Sequence, residues 1–83
     1  MPILSRFNGI VMKMYFQQAE HNPPHVRAQY GDYSAEFEIE TGMLLEGRFP
    51  HRSMLLVQRW ILIHRSELLE IWNSQNFKPI SPL

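Results

Sequence analysis

The sequence predicts an α+β fold, a small mainly antiparallel sheet of about four strands with a C-terminal helix or helix pair packed on one face. Three observations carry this. Residues 10–46 alternate apolar and polar with the period of two that half-buried strands require. The pair Gly31-Asp32 marks a tight hairpin whose two arms match in both polarity and charge. From Pro50 to Asn73 the apolar positions recur instead at helical spacing.

The first strand is expected over Ile10–Phe16, with Ile10, Met12, Met14 and Phe16 on one face and Val11, Lys13 and Tyr15 on the other. Gln17 to Pro24 is a polar connection ending in a stiff Pro-Pro step, since each Pro fixes φ and restricts the residue before it. A second strand, His25–Tyr30, and a third, Tyr33–Glu40, flank Gly31-Asp32. Gly accepts positive φ at the first central position of such a turn. The register follows: Tyr30 faces Tyr33, Ala28 faces Ala35 and Val26 faces Phe37 on an apolar side. On the other side Gln29 faces Ser34, Arg27 faces Glu36 and His25 faces Glu38. A slip of one residue would mix the two faces. Thr41-Gly42 signals another turn before a short strand, Met43–Glu46.

Pro50 suits the first turn of a helix, where its missing N–H costs little. Leu56, Trp60 and Ile63 form one row, and Leu55, Leu62 and Leu69 another. Arg52, Arg59 and Ser66 run along the polar side. His64-Arg65-Ser66-Glu67 interrupts the pattern, so either Ser66 caps a second helix over Glu67–Asn73 or one helix bends there. Residues 75–83, with Pro79 and Pro82, are expected to run extended across the body. The expected core joins Val26, Ala28, Phe37 and Ile39 to the Leu56, Trp60 and Ile63 row.

Eighty-three residues suit one domain, residues 1–83, whose core must be dense or shared with a partner. A homo-oligomer is compatible with that size. There is no cysteine, which excludes disulfides, thiolate nucleophiles and Cys-based zinc sites and fits a cytoplasmic setting. Neither a signal peptide nor a membrane span is recognisable, so no membrane partner is expected. Eight basic and eight acidic residues balance, but Asp32, Glu36, Glu38, Glu40 and Glu46 crowd the middle while Arg48, Arg52, Arg59 and Arg65 follow with no acid among them.

Three candidate sites emerge. His25 beside Glu38 has the types of a general base and its orienting carboxylate, and Arg27 could stabilise an anionic intermediate, as in a small metal-independent ribonuclease. RNA is the corresponding partner. His21 and His25 could bind a divalent metal, although their spacing matches no compact ligand motif. The plainer reading is a solvated sheet face on which His25 pairs with Glu38. The stripe of Arg48, Arg52, Arg59 and Arg65 could contact phosphates or an acidic protein, with the plainer reading again a solvated helix face. Tyr30 and Tyr33, at the hairpin tip, could anchor a partner. Trp60 and Trp72 read as core anchors. No phosphate-cradling loop, serine-nucleophile motif or helical metalloprotease motif is present, and no cofactor is implied.

Gly9-Ile10-Val11 leading to Met14-Tyr15-Phe16, His21-Asn22-Pro23-Pro24-His25, and Ala28-Gln29-Tyr30-Gly31 together carry a family pattern. So do Leu45-Glu46-Gly47, the Trp60 helix, His64-Arg65 with Glu67-Leu68-Leu69, and Lys78-Pro79-Ile80. In these the chain resembles the prokaryotic domain of unknown function 4160 family over nearly its whole length. The resemblance implies a small bacterial α+β protein whose gene often stands beside one for another small uncharacterised domain, suggestive of a toxin–antitoxin-like pair. It supplies no mechanism. The family pattern commonly has a further His two residues after His25, where this chain has Arg27; a guanidinium cannot replace an imidazole on a cation. The expected function is therefore a protein-binding component of a two-protein system, with the ribonuclease and the metal-binding protein as alternatives.

Overall fold

The computed structural model describes residues 3–15 and 23–83. Five strands come first, β1 (Ile3–Phe7), β2 (Ile10–Lys13), β3 (His25–Tyr30), β4 (Tyr33–Glu38) and β5 (Leu44–Arg48), followed by helices α1 (His51–Ile63) and α2 (Arg65–Ser74). The strands form a single antiparallel meander in chain order. The sheet thus has one strand more than expected. The extra one, β1, joins β2 through Asn8-Gly9, whose φ values of 51° and 77° are the paired positive values of a type I′ turn.

The central hairpin adopts the expected register at all six positions from His25↔Glu38 to Tyr30↔Tyr33. Gly31 turns with φ +57°. Strand limits differ at the far end. β4 stops at Glu38 because the next turn is already closing: Gly42 N–H donates to the Glu38 carbonyl at 2.8 Å, and Glu38 N–H to the Met43 carbonyl at 2.8 Å. β5 consequently begins at Leu44 and extends to Arg48. One extra residue, Leu45, is accommodated as a bulge opposite the Glu36–Phe37 step.

One sheet face is the core. Met12, Ala28 and Ala35 lie side by side across β2–β4, flanked by Ile10, Met14, Val26, Phe37 and Ile39, all essentially without exposure. Val57, Trp60 and Ile61 of α1 and Leu68, Ile71 and Trp72 of α2 close over this face. The α1 row differs from expectation. Leu56 is only partly buried, and Ile63 is exposed. The phase is set by Trp60, whose ring meets Phe7 at 5.8 Å and whose Nε1–H donates to the Ser81 carbonyl at 2.9 Å. Centring the helix on Trp60 turns Ile63, three residues on, toward the rim.

The helical segment is two helices meeting at His64 (φ −106°, ψ 20°). His64 N–H closes α1 on the Trp60 carbonyl, and its own carbonyl opens α2 by accepting Leu68 N–H at 2.9 Å. Ser66 lies inside α2 and caps nothing. The N-cap position belongs to His64, which makes no side-chain cap hydrogen bond; its Nδ1 donates instead to the Glu67 side chain at 2.8 Å. After Gln75, in the left-handed conformation (φ 58°), the tail forms no further helix or strand. It returns to β1, where Ile80 N–H donates to the Leu4 carbonyl at 2.7 Å. No helix among the described residues is long and apolar enough to cross a membrane.

Candidate functional site

The sheet face opposite the helices carries the charges. Strand alternation and the register above place Lys13, Arg27, Glu36 and Glu46 in one row across β2–β5. A second row is His25 opposite Glu38. Arg27 is the centre. Its Nη2 donates to Glu36 Oε2 at 2.5 Å, its Nη1 to Ser34 Oγ at 2.8 Å, and its guanidinium carbon lies 5.5 Å from the centre of the Tyr15 ring. The guanidinium is thereby committed on both terminal nitrogens and one face.

His25 is the first residue of β3, so it stands at the end of the sheet. Its Nδ1 faces the Pro23 carbonyl at 3.0 Å, and because a carbonyl only accepts, that nitrogen carries the proton. The rigid Pro23-Pro24 step delivers this acceptor. The imidazole also meets the Trp72 ring of α2 at 5.0 Å between centres. Its Nε2 points to Glu36 Oε1 at 3.8 Å, beyond hydrogen-bond length, an ion pair only when the ring holds a second proton. Glu38, the residue directly across, turns the other way and accepts from Thr41 Oγ1 at 2.6 Å. His25 therefore meets the diagonal carboxylate Glu36 rather than its opposite number. Side chains diagonal in an antiparallel pair remain within reach of long residues.

The chemistry this permits is limited. His25 has the tautomer of a general base, but Glu36 is shared with Arg27, and the guanidinium, although only two of its five N–H donors are engaged, is held against Glu36 and Ser34 with its Nε–H buried and without a partner among the described residues. Part-buried cross-strand pairs of this kind contribute about 0.2–1 kcal/mol each, so the cluster works mainly as a cross-strand lock on the hairpin. His21 lies outside the described residues. Among the described residues no group of three or more His, Asp or Glu could hold a metal ion.

A family model described as a domain of unknown function, DUF4160, matches residues 9–73. The chain belongs to the DUF4160 family. The matched span runs from the turn before β2 to the last turn of α2, so it includes the charged face and both helices. No curated protein and no solved structure matches the chain.

The arginine stripe of this DUF4160 chain is divided by the fold. Arg48 is on β5 opposite Ser34, and Arg65 begins α2 beyond the break at His64. Arg52 and Arg59, two turns apart on α1, stay together and line a shallow groove with Leu55 and Leu56. Both are exposed and make no ion pair among the described residues; α1 itself contains no acidic residue. Beside them Leu55 and Leu62 are about half exposed, at 51% and 48%. At 100° per residue, that leucine pair lies between the arginines and Gln58, and Gln58 is where the loop at Gly42 rests on the helix. The next residue of that loop, Met43, is 61% exposed. Tyr30 and Tyr33 pair at the hairpin tip, Tyr30 leaning on Phe49 at 6.3 Å between ring centres and Tyr33 more open.

Proposed function

We propose that this chain is a protein-binding component of a toxin–antitoxin-like pair, and that the outer face of α1 receives an acidic, partly apolar surface of its partner. One observation carries the reading: Leu55 and Leu62 stand exposed beside Arg52 and Arg59, on a helix with no acid to neutralise them. A helix face that served only as a solvated surface would place polar side chains where these leucines are. Exposed apolar side chains rimmed by arginine are the usual make-up of a protein contact surface, in which arginine is enriched over lysine. The partner proposed is the small protein encoded beside this one, acting with it in the cytoplasm.

The test mixes the purified chain with the product of the adjacent gene. The double substitution Arg52→Glu, Arg59→Glu is expected to weaken the complex by about a hundredfold, since like charges then meet at the contact. Both residues are exposed, so the melting temperature should hold. Undiminished binding by the double variant sinks the assignment of this face. Degradation of RNA by the isolated chain, abolished by His25→Ala, would favour the metal-independent ribonuclease instead.

A further inference from the structure

We infer that β5 is a self-association edge, at which two copies of this chain pair their β5 strands antiparallel about a two-fold axis at Gly47. This site is separate from the α1 face above and does not depend on that reading.

The sheet has two edges, and they are treated differently. At β1 the tail occupies the Leu4 carbonyl through Ile80 N–H. At β5 no described segment lies alongside, and all five residues of the strand are exposed. Native proteins blunt such an edge with charged side chains (lysine above all), proline, a bulge that twists it away, or a covering segment. Here Leu44-Leu45-Glu46-Gly47-Arg48 contains neither lysine nor proline, and Met43, Leu44 and Leu45 leave apolar side chains in the open. The bulge at Leu45 bends the strand but leaves Glu46, Gly47 and Arg48 paired in order with Glu36, Ala35 and Ser34.

The charges on that stretch select both the occupant and the register. Glu46 sits opposite Glu36, a like-charge cross-strand pair, and Arg48 sits opposite Ser34. Neither Glu46 nor Arg48 makes an ion pair among the described residues. Antiparallel pairing centred on Gly47 sets Glu46 against the partner's Arg48, and symmetry repeats the match. Both members lie on the charged side of the sheet, as paired residues must. Centring one residue earlier would set Glu46 against the partner's Glu46, so the charges reject that register. Because the pairing joins β5 to β5 about a two-fold axis it uses the same edge of both copies, and the product is a closed dimer rather than a fibre.

Sedimentation of the full chain over about 1–500 μM, the range in which small interfaces of this kind associate, reads the outcome. A dimer is expected. Glu46→Arg alone and Arg48→Glu alone should each weaken it by about tenfold or more, because each sets like charges against each other twice. The double exchange Glu46→Arg, Arg48→Glu should restore it. Glu46→Arg also removes the repulsion with Glu36, so this variant should melt no lower than the parent, and loss of dimer cannot then be ascribed to unfolding. A chain that stays monomeric throughout, a dimer indifferent to both single exchanges, or a double exchange that fails to restore association overturns the proposal.

Discussion

Substituting alanine for Gly47 is expected to lower the melting temperature by roughly 10–30 °C, a loss of about 2–5 kcal/mol. Two penalties coincide there. Gly47 has φ +97°, a backbone region that side-chain-bearing residues rarely occupy. An added Cβ would also collide with the Ser34 carbonyl oxygen and fall 2.8 Å from Ala35 Cα, both backbone atoms of the adjacent strand. Neither can swing aside as a flexible side chain would, so β5 must lift from β4. A domain of this size has roughly 4–12 kcal/mol in total, and the loss is a large part of it. Gly31 provides the control. Its φ is +57°, but a Cβ there meets nothing within 4 Å, so Gly31→Ala should cost only about 1–2 kcal/mol. Equal melts for the two variants, read by thermal denaturation, would show that the close approach at Gly47 is not a constraint.

Phe37→Asp is expected to abolish folding. Phe37 has no exposure, packs edge-on against Phe49 at 5.7 Å, and lies opposite Val26 in the middle of the core face. Truncating such a phenylalanine costs about 3–5 kcal/mol before any charge is considered. Adding a carboxylate leaves it the choice of burial without a partner or breaking the sheet–helix contact, each several kcal/mol more. The variant should show no cooperative transition by circular dichroism, whereas Phe37→Leu, which keeps an apolar side chain of similar volume, should retain one. A cooperative melt unchanged by Phe37→Asp would mean that the helices cover the other face.

Much of the fold was legible because separate signals agreed. At the central hairpin the turn residues, the apolar alternation and the Arg27–Glu36 charge match all point to one register, and that register is observed. At the N-terminus they do not agree. Asn8-Gly9 is as strong a turn signal as any in the chain, but β1 does not alternate. A bulge there brings Leu4 and Ser5 both to the core, with the Ser5 hydroxyl buried and without a partner among the described residues. A period-two reading has no way to see that strand. In α1, leucine, isoleucine and methionine occur on several sides, so spacing alone left the buried face ambiguous until Trp60 fixed it. Within the candidate site, cross-strand register named the right neighbours but not their rotamers. Thr41 takes Glu38, and His25 is left to the diagonal Glu36.

The tail's return to β1 has a kinetic consequence. Every pairing inside the sheet joins strands consecutive in the chain, so the meander can grow by local steps with little loop entropy to overcome. The bond between Ile80 and Leu4 is the opposite case, joining the last described segment to the first strand. Such a contact forms late, after the transition state, so weakening it should hasten unfolding while barely slowing folding. The clasp is expected to set how long the folded state lasts and the meander how quickly it is reached; stopped-flow measurements on Ile80→Ala, which keeps the N–H but strips the buried side chain that seats the tail, should show the change in the unfolding limb alone.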